Sequence, residues 1–273
     1  MSTKQYFQPS LFAFLRDLQA NNERRWFLAN KARYEAAVRD PLLEFIADFR
    51  RRLRGISRHY VADPRPTGGS MFRIHRDVRF SRDKSPYKTN AGANFHHAAA
   101  KDVHAPGFYL HLAPEEVFVA CGVWKPNSKA RTKIRYAIIA SPQAWIRAKS
   151  SPAFKAGCVV EGDRFRRPHL GCDPNHPLIE DLKLRDFLAT TTLSEEVACS
   201  PGFMDRFQAA CEAAAPFVHL LTTALDLPWV SEETGTSRPL DGLSGRPRVN
   251  TDEPQPSRCF RALHTHPITR PRR

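Results

Sequence analysis

The sequence predicts an α+β fold in which a central, mostly antiparallel sheet carries helices from the N-terminal and C-terminal parts of the chain. Apolar residues recur with helical spacing over residues 10–54. The period changes to two between residues 72 and 124, and helical spacing returns from residue 127. Strands that short, turn-rich links connect favour an antiparallel meander, against which the flanking helices would pack.

The N-terminal part of the chain is predicted to form three helices over residues 10–54. Asn22 is expected to cap the second helix. Asp40 followed by Pro41 predicts the start of the third, because Asp suits the cap and Pro suits the first helical position. The third helix has an apolar stripe formed by Leu42, Phe45, Ile46, Phe49 and Leu53.

The central part of the chain is predicted to form four strands. In the first, over residues 72–80, Phe72 and Ile74 begin an apolar face, and Arg73 and Arg79 share the polar face with His75 and Asp77. The other three are expected at residues 91–96, 107–112 and 117–124.

After the strands, helices are predicted at residues 127–140, from Ser141 onwards, at 178–188 and at 202–225, with a small hairpin at 159–165. We expect a single α+β domain over residues 1–227. Residues 228–273 are rich in Pro and Arg and lack apolar periodicity, which predicts a disordered or aberrant tail.

Composition limits the classes of partner and compartment. The formal net charge is +14, which favours anionic partners, and the expected partner is a phosphate-containing ligand or a nucleic acid. No apolar run reaches the roughly 18 residues that span a bilayer, so no membrane partner is predicted. The N-terminal apolar patch is too short for a secretory signal, and the six cysteines lack zinc-site spacing. A cytoplasmic protein with free thiols and no metal site is expected.

The densest group of charged side chains lies at residues 71–90, MFRIHRDVRFSRDKSPYKTN. Arg suits phosphate or carboxylate through its planar fork, and Lys offers a point charge. Several cations in one concavity would favour an anion from outside the fold. The predicted ligand-binding residues are Arg73, Arg76, Asp77, Arg79, Ser81, Asp83, Lys84, Tyr87 and Lys88.

This segment also carries a resemblance. The run RDVRFSRDKSPYK at residues 76–88 resembles the hallmark of the domain of unknown function 2461 family. NNERRWFLANKARYE, GFYLHL, GVWKP and LKLRDF extend the resemblance over residues 6–227. It implies that the motif matters to these proteins, and it carries no activity, cofactor or oligomeric state over to this chain.

Three functions remain open for the motif. The first is binding of an anion, either a phosphate or nucleotide or a nucleic-acid backbone, with Trp26, Tyr87 and Trp124 as stacking candidates for bases. The second is a structural ion-pair network in an interaction module. The third is a metal-dependent phosphoryl-transfer or hydrolytic enzyme with His75 or Asp77 as general base and Asp83 holding the metal. No Walker loop, nucleophile elbow, zinc-protease or kinase signature supports the third.

If the motif cations are only structural, carboxylates of the same chain should neutralise them. The acids first expected in that role are Glu35, Glu44, Asp48 and Glu115.

Overall fold

The computed structural model describes residues 4–99, 105–167 and 173–230. The N-terminal part is helical, as predicted. Its elements are α1 (Pro9–Ala20), α2 (Arg24–Ala29), α3 (Lys31–Tyr34), a π-helical turn (Glu35–Arg39) and α4 (Asp40–Ile56).

The regular helix α4 begins at Asp40, as predicted, but Asp40 is not its cap, because helical backbone continues from residue 31 to residue 56. Asp40 itself has helical dihedrals, with φ of −67° and ψ of −43°. Pro41 has no N–H to donate, and it follows a π-helical turn where the regular hydrogen-bond ladder is already interrupted. The helix therefore absorbs Pro41 without a break.

A five-stranded antiparallel sheet forms the centre of the described part of the chain. Its order is β1-β2-β3-β5-β4, and every pair of neighbours is antiparallel. The strands are β1 (Ala91–His96), β2 (Gly107–Ala113), β3 (Glu116–Val123), β4 (Val159–Glu161) and β5 (Phe187–Leu193). The α+β prediction and the strands predicted near residues 91–96, 107–112 and 117–124 are confirmed.

The strands β4 and β5 correct two predictions. β4 pairs with β5 through Val160 and Ala189, so it does not form the hairpin predicted at 159–165. Helix α8 (Ile179–Leu182) is only one turn of the helix predicted at 178–188, and β5 begins at Phe187. Gly122 lets β5 approach β3, because a Cβ at Gly122 would lie 2.0 Å from the carbonyl oxygen of Phe187.

Further helices lie after β3. They are α5 (Ser128–Ala140), α6 (Pro142–Ala148), α7 (Pro152–Gly157), α9 (Glu195–Ala198) and α10 (Phe203–Ala224). The long helix predicted at 202–225 is confirmed as α10, with Pro216 inside it. Asn127 caps α5 through its side chain, which accepts a hydrogen bond from Ala130 N.

The main core lies between one face of the sheet and the two longest helices. Phe49 of α4 contacts Phe95 of β1 at 4.9 Å and Phe207 of α10 at 4.8 Å between ring centroids. The apolar stripe predicted for α4 is fully buried. A smaller apolar cluster lies on the opposite face of the sheet, where Tyr109 and Phe118 are buried.

The C-terminal boundary is partly visible. Residues 228–230 contact the domain through Trp229, whose ring lies 5.5 Å from that of Tyr60. Residues 231–273 lie outside the described residues, so the predicted tail stays a prediction, as does the boundary at 227. In the part of the chain that the structure describes, no helix is both long and apolar enough to cross a bilayer. The four cysteines described there are free.

Candidate functional site

Residues 71–90, here called the motif hairpin, form an irregular hairpin, and the strand predicted at 72–80 is wrong. Isolated bridges pair Met71 with Ala93 and His75 with Tyr87. Between them, Lys88 N donates to the carbonyl oxygen of Ile74 at 2.8 Å. Ile74 is buried as predicted, but Phe80 is 75% exposed, so the apolar face ends before the tip.

The tip of the motif hairpin, residues 76–85, is held by short polar side chains. Asp77 Oδ1 accepts from Arg79 N at 3.2 Å, and Asp83 Oδ1 accepts from Ser85 N at 2.9 Å. The Ser81 hydroxyl donates to the carbonyl oxygen of Asp83 at 2.6 Å. These bonds satisfy backbone groups that a strand ladder would otherwise pair, which explains why no regular strand forms.

Two of the predicted cations are paired with carboxylates of the same tip. Arg76 contacts Asp83 Oδ2 at 2.5 Å. Arg79 binds both oxygens of Asp77, at 3.0 and 2.9 Å. Hydrogen bonds from Ser85, followed by the one from Arg76, hold the pKa of Asp83 well below its usual range. The tip is therefore a local ion-pair network.

The base of the motif hairpin contains a different arrangement, here called the Arg73–Lys88 pair. Among the described residues no carboxylate oxygen lies within 4.0 Å of either side chain. Burial, reinforced by the charge of Arg73, lowers the pKa of Lys88 to about 8. The Lys88 ammonium lies 5.2 Å from the centroid of the Phe72 ring. Arg73 is exposed to solvent.

His75 lies beside this pair. Partial burial, then the charges of Arg73 and Lys88, lower the pKa of His75 below its ordinary value of 6.5. The base of the hairpin is thus a positive region, because Arg73 and Lys88 both lie close enough to His75 to affect its pKa. A neutral imidazole at pH 7 can donate or accept one hydrogen bond without adding to that charge.

Aromatic rings pack against the base of the motif hairpin. Tyr87 is 4% exposed and stacks on Phe27 of α2, with 4.1 Å between centroids and 22° between planes. The Tyr87 ring is therefore a core contact, which corrects its prediction as a ligand-binding and stacking residue. Phe72 packs against Tyr109 at 5.8 Å, and this contact places the pair beside the second face of the sheet.

Asn22 connects the helical layer to the motif hairpin. Its Nδ2 donates to the carbonyl oxygen of Tyr87, and its Oδ1 accepts from Tyr87 N, both at 3.0 Å. The residue was expected to cap α2, but Glu23 takes that position without a side-chain bond. The side chain of Asn22 thus acts as a one-residue strand partner for the hairpin.

The structure divides the nine predicted residues into three groups. Arg76, Asp77, Arg79, Ser81 and Asp83 lie in the tip network, and Lys84 joins it by donating to the carbonyl oxygen of Val78 at 3.0 Å. Tyr87 is core. Arg73 and Lys88 remain as cations at the base. Sequence reasoning missed Asn22 and Phe27 as contacts of the motif, although both lie in NNERRWF, a run that belongs to the same resemblance.

Three of the acids that were expected to neutralise the motif form ion pairs with other parts of the chain. Glu35 binds Arg39, and Glu44 and Asp48 both bind Lys4. The metal-dependent reading also finds little support in the geometry, because both oxygens of Asp83 are already engaged by Arg76 and Ser85. Within residues 4–99, 105–167 and 173–230, no group of three His, Cys, Asp or Glu side chains is arranged to hold a metal ion.

Comparison with known proteins agrees with the resemblance. The sequence profile of a family described as conserved hypothetical protein (DUF2461) matches residues 10–220. The chain belongs to this family. The DUF2461 match includes Asn22, the whole motif hairpin and all five strands, and it ends within α10. A search of curated proteins finds no match. The family description states no reaction or ligand, so the function must be argued from the geometry.

Proposed function

We propose that this chain binds a phosphate-containing anion at the Arg73–Lys88 pair, with His75 supplying a further hydrogen bond. One observation carries the proposal: a largely buried ammonium group lies beside a guanidinium, and no carboxylate of the described residues is within 4.0 Å of either. The neighbouring tip cations Arg76 and Arg79 do have such partners.

The physical reason is the cost of an uncompensated charge. A partly desolvated ammonium is unfavourable unless an anion or hydrogen-bond acceptor joins it, and the lowered pKa of Lys88 reflects this cost. An anion between Arg73 and Lys88 would remove the cost and gain charge-assisted hydrogen bonds from both. Arg is suited to grip two phosphate oxygens, and Lys to approach a third as a point charge.

In this proposal the rest of the motif has a supporting role. The ion pairs Arg76–Asp83 and Arg79–Asp77 and the bonds of Ser81 and Lys84 keep the tip in one conformation. The tip geometry favours the structural alternative for these residues, while the base favours a ligand. Phe80, which is 75% exposed at the tip, is the feature that best supports an interaction module as the second candidate.

The experiment compares ligand-induced thermal shifts in three variants. Inorganic phosphate and ATP should raise the melting temperature of the wild type, because a ligand that binds only the folded state stabilises it. Arg73→Gln and Lys88→Met should each weaken binding roughly tenfold or more, since each removes a charged hydrogen-bond partner. Arg51→Gln, an exposed arginine of α4, removes the same charge elsewhere and should bind as the wild type does.

Two outcomes separate the alternatives. If neither phosphate nor ATP shifts the melting temperature, or if Arg73→Gln and Lys88→Met respond like Arg51→Gln, anion binding at the pair is wrong. Loss of binding to a folded partner in a Phe80→Ser variant, with anion response unchanged, would favour the interaction module.

The source of the phosphate is tested separately. If a nucleic-acid backbone is the ligand, affinity for a single-stranded oligonucleotide should fall steeply with salt, and Lys88→Met should lower the salt slope by about one counterion. If a small anion is the ligand, nucleotides should compete at concentrations where the oligonucleotide does not bind.

A further inference from the structure

A second group of cations surrounds Phe165, which follows β4 in the chain. No residue of the motif hairpin belongs to it. Three guanidinium carbons lie close to the centroid of this one ring: Arg131 at 5.7 Å, Arg135 at 5.4 Å and Arg185 at 5.1 Å. Phe165 as a residue is 37% exposed. These four residues are here called the Phe165 cluster.

The Phe165 cluster is built from three separate parts of the chain. Arg131 and Arg135 lie one turn apart on α5, so they share a face of the helix. The loop after β4 pairs with the segment before β5: Phe165 N donates to the carbonyl oxygen of Lys183, and Arg185 N donates to that of Asp163. These hydrogen bonds fix the backbone that carries Phe165 and Arg185.

The three arginines differ in what they already bind. Arg135 is buried and donates to the carbonyl oxygens of Leu182 and Leu184, at 2.7 and 3.0 Å, so it braces the segment before β5. Arg131 is half-buried and donates one hydrogen bond to the carbonyl oxygen of Pro126. Arg185 is exposed, and no side-chain hydrogen bond of it occurs among the described residues.

The carboxylates described near the Phe165 cluster do not pair with Arg131 or Arg185. Among the residues that the structure describes, none lies within 4.0 Å of Arg131 or Arg185. Asp186 is buried, and its Oδ1 accepts from Lys125 N at 2.6 Å, so this oxygen is engaged by backbone. Burial, more than any neighbouring charge, raises the pKa of Asp186, which weakens it as a counter-charge.

We propose that the Phe165 cluster is a second anion site, which binds a diphosphate group between Arg131 and Arg185. A guanidinium that meets an aromatic ring through its face keeps its N–H edges available for phosphate oxygens. The two guanidinium groups come from separate elements, so each of two linked phosphate groups can meet one of them, Arg131 through the N–H groups that its bond to Pro126 leaves available. Arg135, held against the backbone, supplies a fixed positive field behind them.

The test is calorimetric titration of the full chain with pyrophosphate and with inorganic phosphate. In an Arg73→Gln/Lys88→Met background, which lacks the motif site, pyrophosphate binding should persist and should be at least tenfold tighter than phosphate binding. Adding Arg131→Gln and Arg185→Gln should weaken it tenfold or more. Lys129→Gln, an exposed lysine on the same helix, is the matched control and should leave binding unchanged.

The outcomes distinguish this inference from the proposed function. If the motif variant binds no pyrophosphate, or binds phosphate equally well, the diphosphate site is overturned, and the proposal for Arg73 and Lys88 is untouched. If the arginine variants bind like Lys129→Gln, the site is also overturned. A further outcome is that pyrophosphate binding depends on Arg131 and Arg185 and is the same with or without Arg73→Gln/Lys88→Met, and that no anion binds at the Arg73–Lys88 pair. The second site then stands and the proposed function fails.

Discussion

At the scale of the residue, Lys88 shows how its surroundings set the properties of a side chain. The ammonium lies in a largely buried position, faces Phe72 and is close enough to Arg73 for that charge to lower its pKa. The same residue type at Lys4 has its pKa raised, because Asp48 and Glu44 bind its ammonium group. Burial is the larger part of the difference, because Lys88 is largely buried and Lys4 is exposed; the other part is the counter-charge, which Lys4 has within the chain.

Lys88 should make the stability of the fold depend on pH in a defined window. Its pKa is about 8 in the folded state and 10.5 ordinarily, so the unfolded chain holds more protons between these values. The free energy of unfolding should therefore rise with pH from about 8 to 10.5, by at most about 1.4 kcal/mol per unit. Chemical denaturation in phosphate-free buffer at pH 7 to 10 measures it.

Lys88→Met removes this titration, so the variant should be at least as stable as the wild type at pH 7 and should lose that advantage towards pH 10. Lys129→Met, which removes an exposed lysine, is the control and should show no such change with pH. A difference between Lys88→Met and wild type that stays constant from pH 7 to 10 would contradict the assignment.

At the scale of the element, the motif hairpin depends on contacts with other parts of the chain. Its own backbone bonds are few, and its tip consists of local turns and ion pairs. Asn22 from the loop before α2 and Phe27 within α2 hold Tyr87 by its backbone and by its ring. The position of the Arg73–Lys88 pair thus depends on α2.

Asn22→Ala should destabilise the fold by about 1–3 kcal/mol, because it leaves the N–H and carbonyl groups of Tyr87 without their side-chain partner. It should also weaken anion binding, since the hairpin is no longer held at its base. Asn22→Asp keeps the acceptor for Tyr87 N and loses the donor, so its effect should be intermediate. Urea denaturation of the two variants checks this order, and equal stability of Asn22→Ala and wild type would refute it.

At the scale of the whole molecule, the segment after α10 packs against the part of the domain that contains Tyr60. Arg58 N donates to the carbonyl oxygen of Val230 at 3.0 Å. The Nε2 of His97 lies 2.9 Å from the carbonyl oxygen of Pro228. Because a carbonyl can only accept, His97 donates through Nε2. Trp229 stacks on His219 at 5.0 Å. These contacts lie beyond residue 227, where the apolar periodicity ends.

Trp229→Ala in the full chain should lower the free energy of unfolding by about 2–4 kcal/mol, because the half-buried indole contacts both Tyr60 and His219. A chain that ends at 227 should lose a similar amount relative to one that ends at 230. Thermal or urea unfolding of the wild type, the Trp229→Ala variant and the two truncated chains tests this. Equal stability of the chains ending at 227 and 230 would place the domain boundary at 227 after all.

Some elements could be predicted because their signals are local. In β2, alternate residues face the main core and the second face, and a tight turn in which Glu115 has φ of 64° links it to β3. The stripe of α4 repeats with the helical period. By contrast, β5 was not predicted, and the helix expected at 178–188 overlaps its first two residues. Its partner β3 lies about seventy residues earlier, and its register, Val117 opposite Leu193, is non-local.

The amino-acid sequence by itself determined the α+β class, the three central strands, the helices on either side and the location of the charged motif, because periodicity and local turn chemistry decide these. Only the tertiary structure decided which motif cations have counter-charges. Arg76 and Arg79 meet carboxylates through turns that the alternating pattern concealed, and Arg73 and Lys88 do not. Charge pairing depends on distances of a few ångströms between side chains, and those follow from backbone geometry and non-local packing.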